Sequence, residues 1–135
     1  EAEPTDKQEM DNLRVVVDRN LNDANLKGIS SYGRFEHAYN AARTLATMAI
    51  RASGYRVKSN QAGGHSTTFQ ALKAVDKDLA QIASYLDTCR RKRNDLLYEG
   101  SDLISNSEAE GLLMRTTTFR TEVESWIRSK YSTLA

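Results

Sequence analysis

Apolar residues recur at three- and four-residue intervals through most of this chain, and no stretch alternates with period two for long enough to argue a strand. That pattern confines the fold to helices, each with one stripe to bury. Leu13, Val16, Val17, Leu21 and Ala24 mark a first helix ending near Leu26, with Thr5 read as its cap and Gln8 closing a capping box. A second helix runs from about Ser31 to Ser53, carrying Phe35, Ala38, Tyr39, Ala42, Leu45, Ala46, Ala49 and Ile50, and Gly54 is its expected stop. Its stripe is rich in small residues, so a neighbour can approach closely. A short third helix is expected from Ser66, with Phe69, Leu72 and Val75. A fourth runs from about Asp78 to Glu99, with Leu79, Ile82, Ala83, Leu86 and Leu97, and ends at Gly100. Ser105 and Glu108 form a capping box that opens a last helix bearing Ala109, Leu112, Leu113, Thr116, Phe119, Val123, Trp126 and Ile127. The expected fold is all-α: an antiparallel up-and-down four-helix bundle with an additional short helix.

Composition narrows the class further. The 135 residues are enough for one domain, 1–135, with a real core, and 39% hydrophobic against 27% charged residues is the profile of a helix-rich soluble globule. A net charge of +1 gives no global attraction to nucleic acid, so any such function has to rest on a local patch. Cys89 is the single cysteine, which excludes an internal disulfide and favours a reducing, cytoplasmic setting. No apolar run approaches the roughly 20 residues a membrane span needs, so no membrane partner is expected. The opening EAEPTDKQEM is acidic and polar, unlike a signal peptide, and the absence of an initiator Met reads as a trimmed or partial chain. Two separated His, one Cys and no carboxylate pair at ligand spacing point to no metal, and no cofactor is implied.

The stretch RRKRNDLLYEG, residues 90–100, breaks the regular pattern. It places consecutive cations inside an amphipathic helix, where a rotation of about 100° per residue prevents all of them from facing water. On a helical wheel referenced to Leu79, Arg90 and Arg93 fall on the apolar side. Arg91, Lys92 and Asp95 fall opposite, and Asn94 and Tyr98 lie at the boundary, in line with Arg90. Two explanations are open. The helix can project beyond the bundle, its arginines snorkelling or pairing with Asp or Glu. Alternatively Arg93, Asn94 and Tyr98 line a cleft for a phosphate, which the planar fork of an arginine grips in a fixed geometry.

RRKRNDLLYEG resembles the signature of the HEPN domains (higher eukaryotes and prokaryotes nucleotide-binding), in which an Arg, usually followed by Asn, precedes a His on the same bundle helix. The second helix, FEHAYNAARTLATMAIRASGYR, and the following GGH are similar to bacterial and archaeal members, and the likeness covers residues 10–130. By this resemblance Arg93 takes the Arg position, Asn94 the polar position beside it, and Tyr98 the position of the His. The family includes metal-independent ribonucleases, often toxins of toxin–antitoxin pairs, in which the Arg holds the scissile phosphate and the His handles the proton of the 2′-hydroxyl. A phenol with a pKa near 10, against about 6.5 for imidazole, supplies little general base at neutral pH, although it can donate to phosphate or stack on a base. The resemblance therefore implies a nucleotide- or RNA-binding module first, one that can be linked to an antitoxin or nucleotidyltransferase partner. A metal-independent endoribonuclease using Arg93 and Tyr98 is the alternative, and a structural or protein-interaction bundle a second alternative. HEPN domains commonly form homodimers, which would bring Arg90 and Arg93 of two chains to one groove.

Other candidates have plainer explanations beside them. GGHSTTF can offer helix amides to an anion, or Ser66 can be an ordinary cap; His65 can join the site only if its loop folds over the cleft. His37 lies opposite Phe35 and is expected in solvent, and Cys89 is expected to pack. Arg43, Arg51, Arg56 and Lys58 can extend a cationic groove or form a solvated face, the latter being the simpler expectation. Tyr39, Tyr85 and Trp126 are expected in the core.

Overall fold

Hydrogen-bonded caps decide where the helices begin. In the computed structural model, which describes residues 2–57, 64–99 and 104–135 (at 64–67 and 96–99 the backbone alone), five helices follow one another. They are α1 (Lys7–Ala24), α2 (Ser31–Ala52), α3 (Gly64–Val75), α4 (Ala83–Glu99) and α5 (Asn106–Lys130). Together they make the expected all-α antiparallel bundle, with α3 as the additional short helix.

The α1 cap is Asp6, not Thr5: its carboxylate accepts from the Glu9 amide at 2.9 Å. The Thr5 hydroxyl donates instead to the Glu9 carboxylate at 2.5 Å. A carboxylate is the stronger acceptor and carries the charge a helix N-terminus favours. Ser30 caps α2 through the Gly33 amide, and Gly54, at φ +92°, takes the left-handed turn that closes it. The reciprocal capping box of Ser105 and Glu108 opens α5 as its spacing predicts, with both bonds at 3.1 Å. The fourth helical segment is preceded by Asp76, whose carboxylate accepts from the amides of Asp78 and Leu79 at 3.0 Å. That holds Leu79–Ile82 as a 3₁₀ turn before the α-helix proper starts at Ala83. Helix α3 begins at Gly64, ahead of the expected start at Ser66.

Helix α2 is the centre of the core. Phe35, Ala38, Tyr39, Ala42, Leu45, Ala46 and Ala49 are buried along it, and it packs on α1, α5 and α3. The alanines hold little apolar area themselves, but they let α1 and α5 close on the α2 backbone. Larger side chains from those neighbours (Val17, Leu21, Leu112, Phe119, Val123, Ile127) fill the space, each contributing about 1.5–3 kcal/mol on full burial. Tyr85 and Trp126 pack against this core only partly buried, whereas Tyr39 and Cys89 are buried in it. Helix α4 leans chiefly on α3 and more lightly on α2, which leaves a polar seam between α2 and α4. Among the described residues there is no strand, only an isolated bridge between Ala2 and Tyr55, and no helix long and apolar enough to cross a membrane.

Arg51 departs from the solvated face expected of it: only 2% of its side chain is exposed. Its Nε and one Nη donate to the Glu9 carboxylate at 3.1 and 2.8 Å, and the remaining donors reach the carbonyls of Glu3, Pro4 and Tyr55 at 2.6–2.9 Å. Arg56 pairs with the same Glu3 and Glu9. Hydrogen bonding from Arg51, above all, pulls the Glu9 carboxyl from its usual 4.5 down to about 2, against the opposing effect of burial. The stretch before α1 is thus bound to the end of α2 through one saturated guanidinium.

Candidate functional site

The seam between α2 and α4 holds the cations that break the apolar pattern. Arg93 turns inward to α2. Its Nε donates to both oxygens of Glu36, at 2.9 and 3.0 Å, and its guanidinium carbon stands 5.2 Å from the centre of the Tyr39 ring. Glu36 and Tyr39 are three residues apart and so share a face of α2, which is why one side chain of α4 meets both. Arg93 and Glu36 each keep about a quarter of their side chain exposed, 25% and 24%. The pair is therefore reachable from solvent, unlike Arg51.

Arg90 lies beside it, one-fifth exposed, with Nε donating to Asp87 at 2.8 Å. Arg91 points outward and reaches the same Asp87 at 3.3 Å, and Lys92 reaches Glu108 on α5 at 3.4 Å. Each of the cations at 90–93 therefore meets a carboxylate. Pairing with Asp or Glu, one of the two explanations open from the sequence, describes all of them. Asn94 is exposed. The side chains of Tyr98 and His65 lie outside the described residues, although the backbone of Tyr98 continues α4 one turn beyond Asn94.

Tyr39 is wholly buried and sits edge-on to Phe69, with ring centres 6.2 Å apart. Burial pushes its phenol up to about 12, while Arg93, Arg43 and Arg90 pull the other way. This phenol is a hydrogen-bonding group rather than a base at neutral pH. Arg43 stands one turn beyond Tyr39 on the same face of α2. Its Nε is buried without a hydrogen-bond partner.

A separate hollow of about 350 Å³ opens between α4 and α5, lined by Phe35, Tyr85, Thr88, Cys89, Lys92 and Glu108 among others. The guanidinium of Arg115 covers the Tyr85 ring at 4.1 Å. Cys89 packs in the core as expected, and burial pushes its thiol up to about 11. His37 is half-buried, with Nδ1 3.2 Å from the Asn20 side-chain oxygen, rather than in open solvent. Among the described residues no three His, Cys, Asp or Glu side chains gather to hold a metal ion.

Of the residues singled out from the sequence, the structure brings Arg90 and Arg93 to one seam and leaves Asn94 at its edge. It adds Glu36, Tyr39 and Arg43. Glu36 carries a signal that periodicity alone passes over: it is the one acid in the whole of α2, next to the buried stripe. Comparison of the chain with protein-family models, with curated proteins and with solved structures finds no match.

Proposed function

We propose that this chain is a HEPN-like module that binds a phosphate-bearing ligand, a nucleotide or RNA, at the α2–α4 seam, with Arg93 as the anion-contacting residue. The observation that carries this is the state of Arg93. Its side chain is turned into the bundle yet a quarter exposed, and the hydrogen bonds it makes run from Nε to the single acid Glu36. A phosphate can replace that carboxylate with the same sign of charge and a better match to both Nη groups. Glu36 then acts as a resident competitor that keeps the cation neutralised when no ligand is bound. In this reading the module works in the cytoplasm, as a homodimer that joins two such seams, beside an antitoxin or nucleotidyltransferase partner.

Titration of the purified protein with AMP and with short single-stranded RNA at low salt tests it. Arg93→Ala should weaken binding by about tenfold or more, and affinity should fall as salt rises. Glu36→Gln should tighten binding, because the ligand no longer competes with a carboxylate. If Arg93→Ala and Glu36→Gln leave affinity unchanged, the proposal fails. Arg93-dependent cleavage of RNA without added metal would instead assign the ribonuclease reading, with Tyr98 in the place of the family His.

The second reading, a structural or protein-interaction bundle, is favoured by one observation: each cation at 90–93 already has a carboxylate. It predicts that Arg93→Ala lowers stability and changes no ligand affinity.

A further inference from the structure

Arg43 is the cation that the pairing on α4 does not explain. The buried Nε has no acceptor, and among the described residues no carboxylate lies within ion-pair distance of its guanidinium. The same bundle shows what a structural guanidinium looks like. Arg51, with 2% exposure, gives its donors to a carboxylate and to carbonyls. An N–H of a cation buried with nothing to receive it is costly, because desolvation is not offset by a hydrogen bond.

Its position gives the missing partner a place. Arg43 follows Tyr39 by four residues, so the two side chains stack on one face of α2, about 6 Å apart along the axis. Arg93 approaches the same ring from α4, at 5.2 Å. Both cations act electrostatically on the Tyr39 phenol, one from each helix, while Glu36 accepts only from the one on α4. Once Arg93 is matched to Glu36 and Arg90 to Asp87, Arg43 is left over, and an anion is what would complete the cluster.

We propose that Arg43 and Arg93 form a two-armed clamp that closes on one phosphate group across the Tyr39 ring. This deepens the function proposed above and rests on it. Arginine suits both arms, since each fork can give two parallel donors to the phosphate oxygens, and two forks from different helices fix its orientation. Arg43 is then a binding residue of the seam rather than part of a solvated face. The phosphate can be the terminal group of a nucleotide or a diester of an RNA backbone, and the chemistry of the clamp is common to both.

The test is a set of titrations at low salt with AMP and, in parallel, with a short single-stranded RNA bearing hydroxyl ends. The proteins are wild type, Arg43→Ala, Arg43→Lys, Arg93→Ala and the double Ala variant. The clamp predicts that Arg43→Ala weakens binding by about tenfold or more, and that Arg43→Lys, which keeps the charge but not the fork, falls between it and wild type. The double variant should lose less than the product of the two single losses, because both arms hold one group. Arginine-dependent binding of the RNA alone would identify the diester as the ligand, and of AMP alone the terminal phosphate. Circular dichroism and thermal melting accompany each variant; should Arg43→Ala fail to fold, Arg43→Gln against Arg43→Lys makes the same comparison. If Arg93→Ala loses affinity while the Arg43 variants bind like wild type, the clamp is overturned and the α2–α4 site stands. If wild type binds neither ligand, both are overturned.

Discussion

Arg51 and Arg93 both sit on the inward side of a helix, and the difference between them shows how to tell a structural cation from an available one. Arg51 is 2% exposed, and its bonds run to Glu9 and to the carbonyls of Glu3, Pro4 and Tyr55, groups that cannot leave without unpinning the start of the chain. Arg93 is 25% exposed and is held through Nε by one side chain, Glu36, that can rotate away. Exposure is one difference between the two. The other is how many donors are satisfied, and whether the acceptors belong to the backbone.

The largest effect should come from Arg51. Its replacement by Ala leaves three carbonyls and a carboxylate without their cation, and should cost about 3–5 kcal/mol in urea denaturation, the range for one partner lost from a buried pair. A loss below about 1 kcal/mol would mean that water replaces the guanidinium easily, and the contrast with Arg93 would collapse.

Acid should act through the same cluster. Glu9 titrates at about 2 in the folded protein against its usual 4.5. A depressed carboxyl contributes stability that is present above the unfolded value and lost as pH falls through the folded one. Wild type should therefore lose stability between about pH 4.5 and 2 more steeply than Glu9→Gln, which has no such proton to take up. Other carboxyls, Asp11 and Glu108 among them, are also held low, so the difference between the two proteins is the quantity to follow. Parallel pH curves would show that the Arg51 cluster does not depend on the charge of Glu9.

A smaller effect is expected at the seam. Arg93→Ala should cost about 1–2 kcal/mol, between the values for exposed and buried pairs, and a double-mutant cycle with Glu36→Ala should give a coupling near 1 kcal/mol. A cost as large as that of Arg51→Ala would make Arg93 a structural residue and favour the interaction-bundle reading. The smallest change should follow Lys92→Ala, whose pair with Glu108 is long and about one-third to one-half exposed: under about 1 kcal/mol.

Periodicity in the sequence was enough to place all five helices, and the reciprocal cap at Ser105 and Glu108 was legible from its spacing, because these features depend on residues within one turn of each other. The inward direction of Arg90 and Arg93 was equally legible, since a wheel records direction along one helix. The cap of α1 was not, because Thr5 and Asp6 both have the right chemistry and only the backbone angles of the formed helix choose between them. Nor was the burial of Arg51: on its own helix it neighbours the apolar stripe, and three of its four acceptor residues, Glu3, Pro4 and Glu9, lie 42 to 48 residues earlier in the chain.

The amino-acid order by itself determined an all-α bundle and an arginine-bearing face on its fourth amphipathic segment, since both follow from the 3.6-residue repeat of a helix. Which carboxylate meets Arg93 was decided only by tertiary structure. Glu36 reaches Arg93 across 57 residues, and the buried Nε of Arg43 meets no acceptor. Local sequence sets which way a side chain points, but what waits there depends on another helix.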